Sequence, residues 1–234
     1  SITSPASGAI LNVSSPNPYS ISGTASDNAV ISRIEVSTNG GTSWNTASCT
    51  GCGTANATWS YSWSLPVDGV YILKSRAVDN ANNIEVPAVG INITNDRTVP
   101  AVSVTNPANT ATGVAVNSSV IITWSESVNC STVSTSTITI NSGGWTMSSC
   151  TGNQAIFTTS GQTNLTGYTV TVTTGVRDLS GNSMGVNYIF SFTTASANIP
   201  SLYYPSSPYN NCMDPDTGDT RTDFTFKIIY KDTE

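Results

Sequence analysis

Five cysteines, and a set of aspartates in asparagine-rich turns, are the residues of this 234-residue chain with the most chemistry to offer. Cys49 and Cys52 stand as CTGC, a spacing used by redox dithiols, by thiolate metal sites and, where His follows, by haem attachment. Here Gly53 follows, and the sequence contains no histidine. That removes Ser-His-Asp and Cys-His catalysis, His-ligated zinc and covalently attached haem. A redox CxxC needs a helix N-terminus to lower the thiol pKa, whereas this one lies in a Thr/Gly-rich stretch between strand-like segments. A four-thiolate zinc site would need two cysteine pairs brought together from different parts of the chain. Glycoside hydrolysis needs two carboxyl groups held about 5–10 Å apart in a cleft. Glu35, Asp68, Glu85 and Glu126 are scattered over separate segments and read as solvated surface groups.

The aspartates and asparagines are better placed. Asp27-Asn28 and Asp79 to Asn83 are expected on loops at one end of a first domain, Asp96 at a junction, and Glu126, Asp178 and Asn182 facing it from a second. Ca²⁺ takes six to eight oxygen ligands, so Asp27, Asp79, Asp96 and Asp178 form the candidate metal set. The plainer reading is that they form Asx-turns, which Asp and Asn do through their own backbone contacts. No DxDxDG-type loop is present, and that plainer reading is preferred; no cofactor is expected, with calcium as the alternative. Trp59, Tyr61 and Trp63 share one face of a strand at spacing two, which reads as a core stripe and not a sugar-stacking platform.

The elements that must carry these residues are strands. ISRIEVST (31–38), VIITWS (120–125), YTVTVTT (168–174) and YIFSFTT (188–194) alternate apolar and polar residues at period two. Turn dipeptides such as Asn39-Gly40, Asp68-Gly69, Gly143-Gly144 and Ser180-Gly181 punctuate them. No stretch has a helical period with caps. The chain is 38% hydrophobic but 9% charged, with a net charge of −6, so a nucleic acid is not an expected partner. No apolar run approaches the roughly 18 residues that would suggest a membrane span. Ser1 opens the sequence without a basic and apolar leader, which reads as a processed or internal piece.

The chain also repeats itself. NGGTSWNTASCTG (39–51) parallels NSGGWTMSSCTG (141–152), aligning Trp44 with Trp145 and Cys49 with Cys150. AVDNANN (77–83) parallels VRDLSGN (176–182), aligning Asp79 with Asp178 and Asn83 with Asn182. VPAVSVTNPA (99–108) is echoed by IPSLYYPSSP (199–208). Domains are expected at 1–97 and 98–196, with 197–234 beginning a third, incomplete module. In that tail Phe224, Phe226, Ile228 and Tyr230 share one face of a strand-like run, a stripe that needs a cover.

Residues 98–195 resemble the SbsA-type bacterial Ig-like domain through PAVSVTNPANTATGVAVNSSVIITWSESV, LTGYTVTV, VRDLSGN and YIFSFTT, in that order. Residues 2–96 resemble another bacterial Ig-like type through ITSPASG, ISGTASDNAVISRIEVSTNGGTSW and YILKSRAVDNANN. The resemblance implies an all-β chain of tandem immunoglobulin-like or fibronectin III-like β-sandwiches, exported to the bacterial cell surface or beyond. Tyr71 and Tyr168 then take the tyrosine-corner position. In a sandwich of this order Cys150 returns to the end carrying Cys130, so a Cys130–Cys150 disulfide is expected, with Cys49 bonded to Cys52. Cys212 is left to bond downstream or to another chain. The function expected is a non-catalytic structural spacer of a surface-layer protein, adhesin or filament. Its partners would be neighbouring Ig-like modules or copies of itself. The alternatives are an adhesion module binding host or cell-surface glycans, and accessory domains of a secreted hydrolase.

Overall fold

A computed structural model describes residues 1–197. The expectations on 197–234, the third module and Cys212, lie outside the described residues apart from Ala197 itself.

The first sandwich opposes two sheets. One has the order β1 (Ile2–Ser4), β3 (Tyr19–Ser26), β7 (Asn56–Trp63), β6 (Ser48–Thr50). The other runs β2 (Ile10–Leu11), β9 (Ile91–Asn95), β8 (Gly69–Asp79), β4 (Ile31–Ser37), β5 (Asn45–Thr46). The second sandwich repeats the plan: β10 (Val102–Asn106), β12 (Val120–Trp124), β15 (Gln154–Ser160), β14 (Gly144–Thr151) face β11 (Ala111–Val114), β17 (Tyr188–Thr194), β16 (Gly167–Val172), β13 (Ile138–Ile140). In each, the entering strand divides between the sheets. Its second part pairs parallel with the last strand, β2 with β9 and β11 with β17, while the other pairings are antiparallel. The described residues contain no α-helix, and one 3-10 turn, Cys130–Thr132, capped by the Asn129 side chain.

Period-two patterning becomes burial. In β12 the side chains of Val120, Ile122 and Trp124 point inward, and in β16 those of Tyr168, Val170 and Val172. They meet Phe157, Phe190 and Phe192 in one core, while Ile21, Ile34, Val36, Trp59, Trp63, Leu73 and Ile93 form a separate core in the first sandwich. Each large side chain so buried contributes roughly 1.5–3 kcal/mol. Gly23 is glycine because the Trp59 ring and the Ser1 carbonyl occupy the space a Cβ would need. Both tyrosine corners close on backbone: the Tyr71 hydroxyl donates to the Val67 carbonyl at 2.6 Å, and the Tyr168 hydroxyl accepts from the Thr163 amide at 2.9 Å.

Two details differ from expectation. Cys49 on β6 and Cys150 on β14 do occupy equivalent edge strands, beside β7 and β15, but Trp44 and Trp145 do not correspond. The first sandwich forms the extra strand β5 before crossing to β6, which leaves Trp44 under the Arg76 guanidinium, 4.2 Å from its ring centroid. The second crosses directly from β13 to β14, and Trp145 stacks on Phe157 at 4.5 Å. Glu35 is not a solvated surface group: it is 12% exposed and accepts from Arg33 at 2.8 Å and Arg76 at 2.7 Å. Burial opposes its ionisation, yet the two guanidiniums outweigh it and hold the carboxyl below its ordinary range.

Candidate functional site

A dense polar network lies where the two sandwiches join. It is built on the turn that follows β16. Asp178 accepts from the Ser180 and Asn182 amides through one oxygen, both at 2.8 Å, and from the Asn182 side chain through the other, at 2.8 Å. Such Asx geometry is what a short acceptor two to four residues before free amides provides. Gly181, at φ +86°, supplies the left-handed residue that closes the turn. Asp178 and Asn182 are 1% and 0% exposed.

The connecting segment lies against this turn. The Asn182 amide nitrogen also donates to the carbonyls of Asp96 and Thr98, each at 3.0 Å, and its oxygen accepts from the Val13 amide at 2.9 Å. The Ser180 hydroxyl donates to Asp96 at 2.6 Å, and the Asn12 side chain to the Ser180 carbonyl at 3.0 Å. On the other side Arg97 donates to the carbonyls of Asn12, at 2.7 Å, and Ser15, at 3.1 Å. Asp68 accepts from the Thr98 hydroxyl and from the Arg97 and Thr98 amides. Those bonds, the Thr98 hydroxyl first, hold the Asp68 carboxyl below its ordinary value. One asparagine thus joins its own turn, the connecting backbone and a loop of the first sandwich. A buried polar group so fully partnered fixes one geometry, because any other leaves it unpaired.

Carboxylate oxygens of Asp96, Glu126 and Asp178 lie within 4.8 Å of one another. Glu126 is the strained member. Its Oε1 is buried without a hydrogen-bond partner among the described residues, and burial first, then Asp178, Asp96 and Asp68, push its pKa up. These oxygens are of the type calcium takes, and both Asp178 oxygens already accept from the turn.

The four aspartates of the candidate metal set do not form one cluster. Asp96 and Asp178 meet at the junction, with Glu126. Asp27 and Asp79 line a polar cleft at the far end of the first sandwich. The reason is strand length: β8 runs from Gly69, beside Asp68 at the junction, to Asp79, and eleven extended residues span about 33 Å.

Cys49 is bonded to Cys52 and Cys130 to Cys150, each with Cα atoms 5.7 Å apart. Trp59 and Trp63 face the core, with Tyr61 half-buried on the same side. What the sequence reading missed is Asn182 as the hub and Arg97 as the clasp. The Asp-to-Asn repeat was visible, but the linker carbonyls it holds carry no side-chain signature.

Comparisons with known proteins agree with this architecture. Residues 96–194 match the family described as a bacterial Ig-like domain, and residues 1–86 the family described as a bacterial Ig domain. No curated protein matches the chain significantly. Among solved structures, the sulfane dehydrogenase SoxCD of Paracoccus pantotrophus is 31% identical over 36% of this chain, with a TM-score of 0.32; the chain spans 22% of that enzyme's length. The fibronectin(III)-like modules of Clostridium thermocellum CbhA are 15% identical, covering 87% of this chain and 98% of theirs, at a TM-score of 0.34. The D00-D0 domain of Intimin is 13% identical, covering 82% and 98%, at 0.39. At these TM-scores none carries an argument about function, and the two family matches do the identifying: the chain belongs to the bacterial Ig-like domains, two of them in tandem.

Proposed function

We propose that the chain is a non-catalytic spacer of a bacterial extracellular protein. Its two sandwiches are held in a fixed relation, so that whatever they carry is kept at a set distance from the cell surface, as in a surface-layer protein, adhesin or filament. The observation that carries the reading is the full burial and fourfold use of Asn182 between the two modules. A flexible tether would leave the joint solvated and its polar groups bonded to water. Two disulfides in so small a chain also suit an oxidising compartment. The joint is read as hydrogen-bonded, with no metal required. A glycan-binding alternative would want aromatic faces in the open, whereas Trp59, Trp63 and Trp124 are buried, and Trp44 and Trp145 are stacked on partners.

Small-angle scattering tests this directly. The intact chain should fit a single arrangement of its two modules, and Asn182→Ala should require a broad range of hinge angles at unchanged secondary structure. A wild-type profile that already demands free hinging would reject the spacer reading.

A further inference from the structure

The joint has an open duplicate at the other end of the first sandwich. The turn from Ala77 to Glu85 repeats the backbone ladder and the Asp–Asn bonds of the turn from Val176 to Met184. Asp79 N donates to Asn83 O as Asp178 N does to Asn182 O, and Glu85 N to Ala77 O as Met184 N does to Val176 O. The bridges Val78–Ile84 and Arg177–Ser183 coincide, and Asn82 takes the left-handed conformation of Gly181. The Asn83 amide and side chain bond the two Asp79 oxygens at 2.8 and 2.7 Å, as Asn182 bonds Asp178. Asp27 follows Ser26 at the end of β3 as Glu126 follows Ser125 beyond β12.

The two turns differ in what fills them. Asn182 is buried because its amide nitrogen also holds two linker carbonyls and its oxygen an incoming amide. Asn83 is exposed, and among the described residues its amide nitrogen donates only to Asp79 and its oxygen accepts nothing. Around it lies a cleft of about 430 Å³ lined by Ser26, Asp27, Asn28, Asp79, Asn83 and Glu85, with Ile84 51% exposed at its rim.

We propose that this end is a socket for the exit segment of another Ig-like sandwich joined ahead of Ser1. The Asn83 amide nitrogen donates to two backbone carbonyls of that segment, and its oxygen accepts a backbone amide from a loop of the incoming module. The inference rests on the spacer reading and extends it, since a module with a receiving turn at one end and a clasped linker at the other can be strung in rigid series.

The test places a second copy of residues 1–102 ahead of the full chain. This sets Ser1 where Ser103 stands in the natural joint, with Pro5 matching Pro107. Small-angle scattering should then fit one rigid three-module arrangement, and Asn83→Ala in the receiving copy should abolish that single fit while leaving the natural joint fixed. A leading module that hinges freely while the natural joint stays rigid overturns the socket and leaves the spacer reading intact. An Asn83→Ala chain as rigid as its parent overturns the socket as well. Free hinging at both joints overturns both.

Discussion

At the residue scale, the acids of this chain sort by what surrounds them. Glu35, Asp68 and Asp79 are held below their ordinary pKa by donors, so each contributes stability above its unfolded value that is lost as pH falls through its folded one. Glu126 has the opposite sign. Its raised pKa means the folded state binds the proton more tightly, so its contribution is greatest in acid and is lost as pH rises through the raised folded value. At neutral pH the ionised group destabilises the joint. Glu126→Gln should therefore raise the melting temperature at pH 7, and the difference should shrink towards pH 4. Thermal melts across that range check it. Melting should not respond to a chelator; a chelator-induced fall of more than a few degrees would show that a divalent cation neutralises Glu126 instead.

At the scale of elements, each disulfide secures the edge strand of a four-stranded sheet, but the two differ in reach. Cys130–Cys150 closes a separation of 20 residues and ties β14 to the 3-10 turn, while Cys49–Cys52 closes a separation of 3. In the chain-entropy picture the longer closure contributes about 3 kcal/mol and the shorter one less. Cys130→Ser with Cys150→Ser should lower the unfolding free energy of the second sandwich by that amount in urea titrations, and Cys49→Ser with Cys52→Ser should cost the first visibly less. Equal losses would show that the bridges act through local packing. Much of this level was legible in the sequence, because alternation at period two is the burial pattern of a sandwich strand: Val120-Ile122-Trp124 and Tyr168-Val170-Val172 could be read directly as inward rows. Pairings across sequence were not. Glu35 finds Arg76 41 residues away, a contact set by the β4–β8 register and by no local pattern. The separation of Asp27 and Asp79 from Asp96 could have been read, since Asp68 and Asp79 bracket one unbroken strand. The sequence signal for Asn182, by contrast, gave its turn and not the linker backbone that the turn holds.

At the scale of the molecule, the parallel pairing of β2 with β9 and of β11 with β17 has a mechanical consequence. Chain tension enters each sandwich through its first strand and leaves through its last, from opposite ends. Strands paired parallel and pulled this way slide along one another, so their hydrogen bonds are loaded together and not one at a time. In the first sandwich those bonds are Gly8 N to Asn92 O at 2.7 Å, Thr94 N to Ala9 O at 2.9 Å and Asp96 N to Leu11 O at 2.9 Å. In the second, Thr110 N to Ser191 O at 2.6 Å and Ala195 N to Val114 O at 2.7 Å play the same part. Stretching single molecules should show each sandwich yielding in one abrupt step. Leu11→Pro, which spoils the short β2 patch, should lower the force of one step and spare the other, whereas unchanged forces would place the resistance elsewhere. A chain built on this plan resists being drawn out along its length, the direction in which flow or a tethered load would pull it.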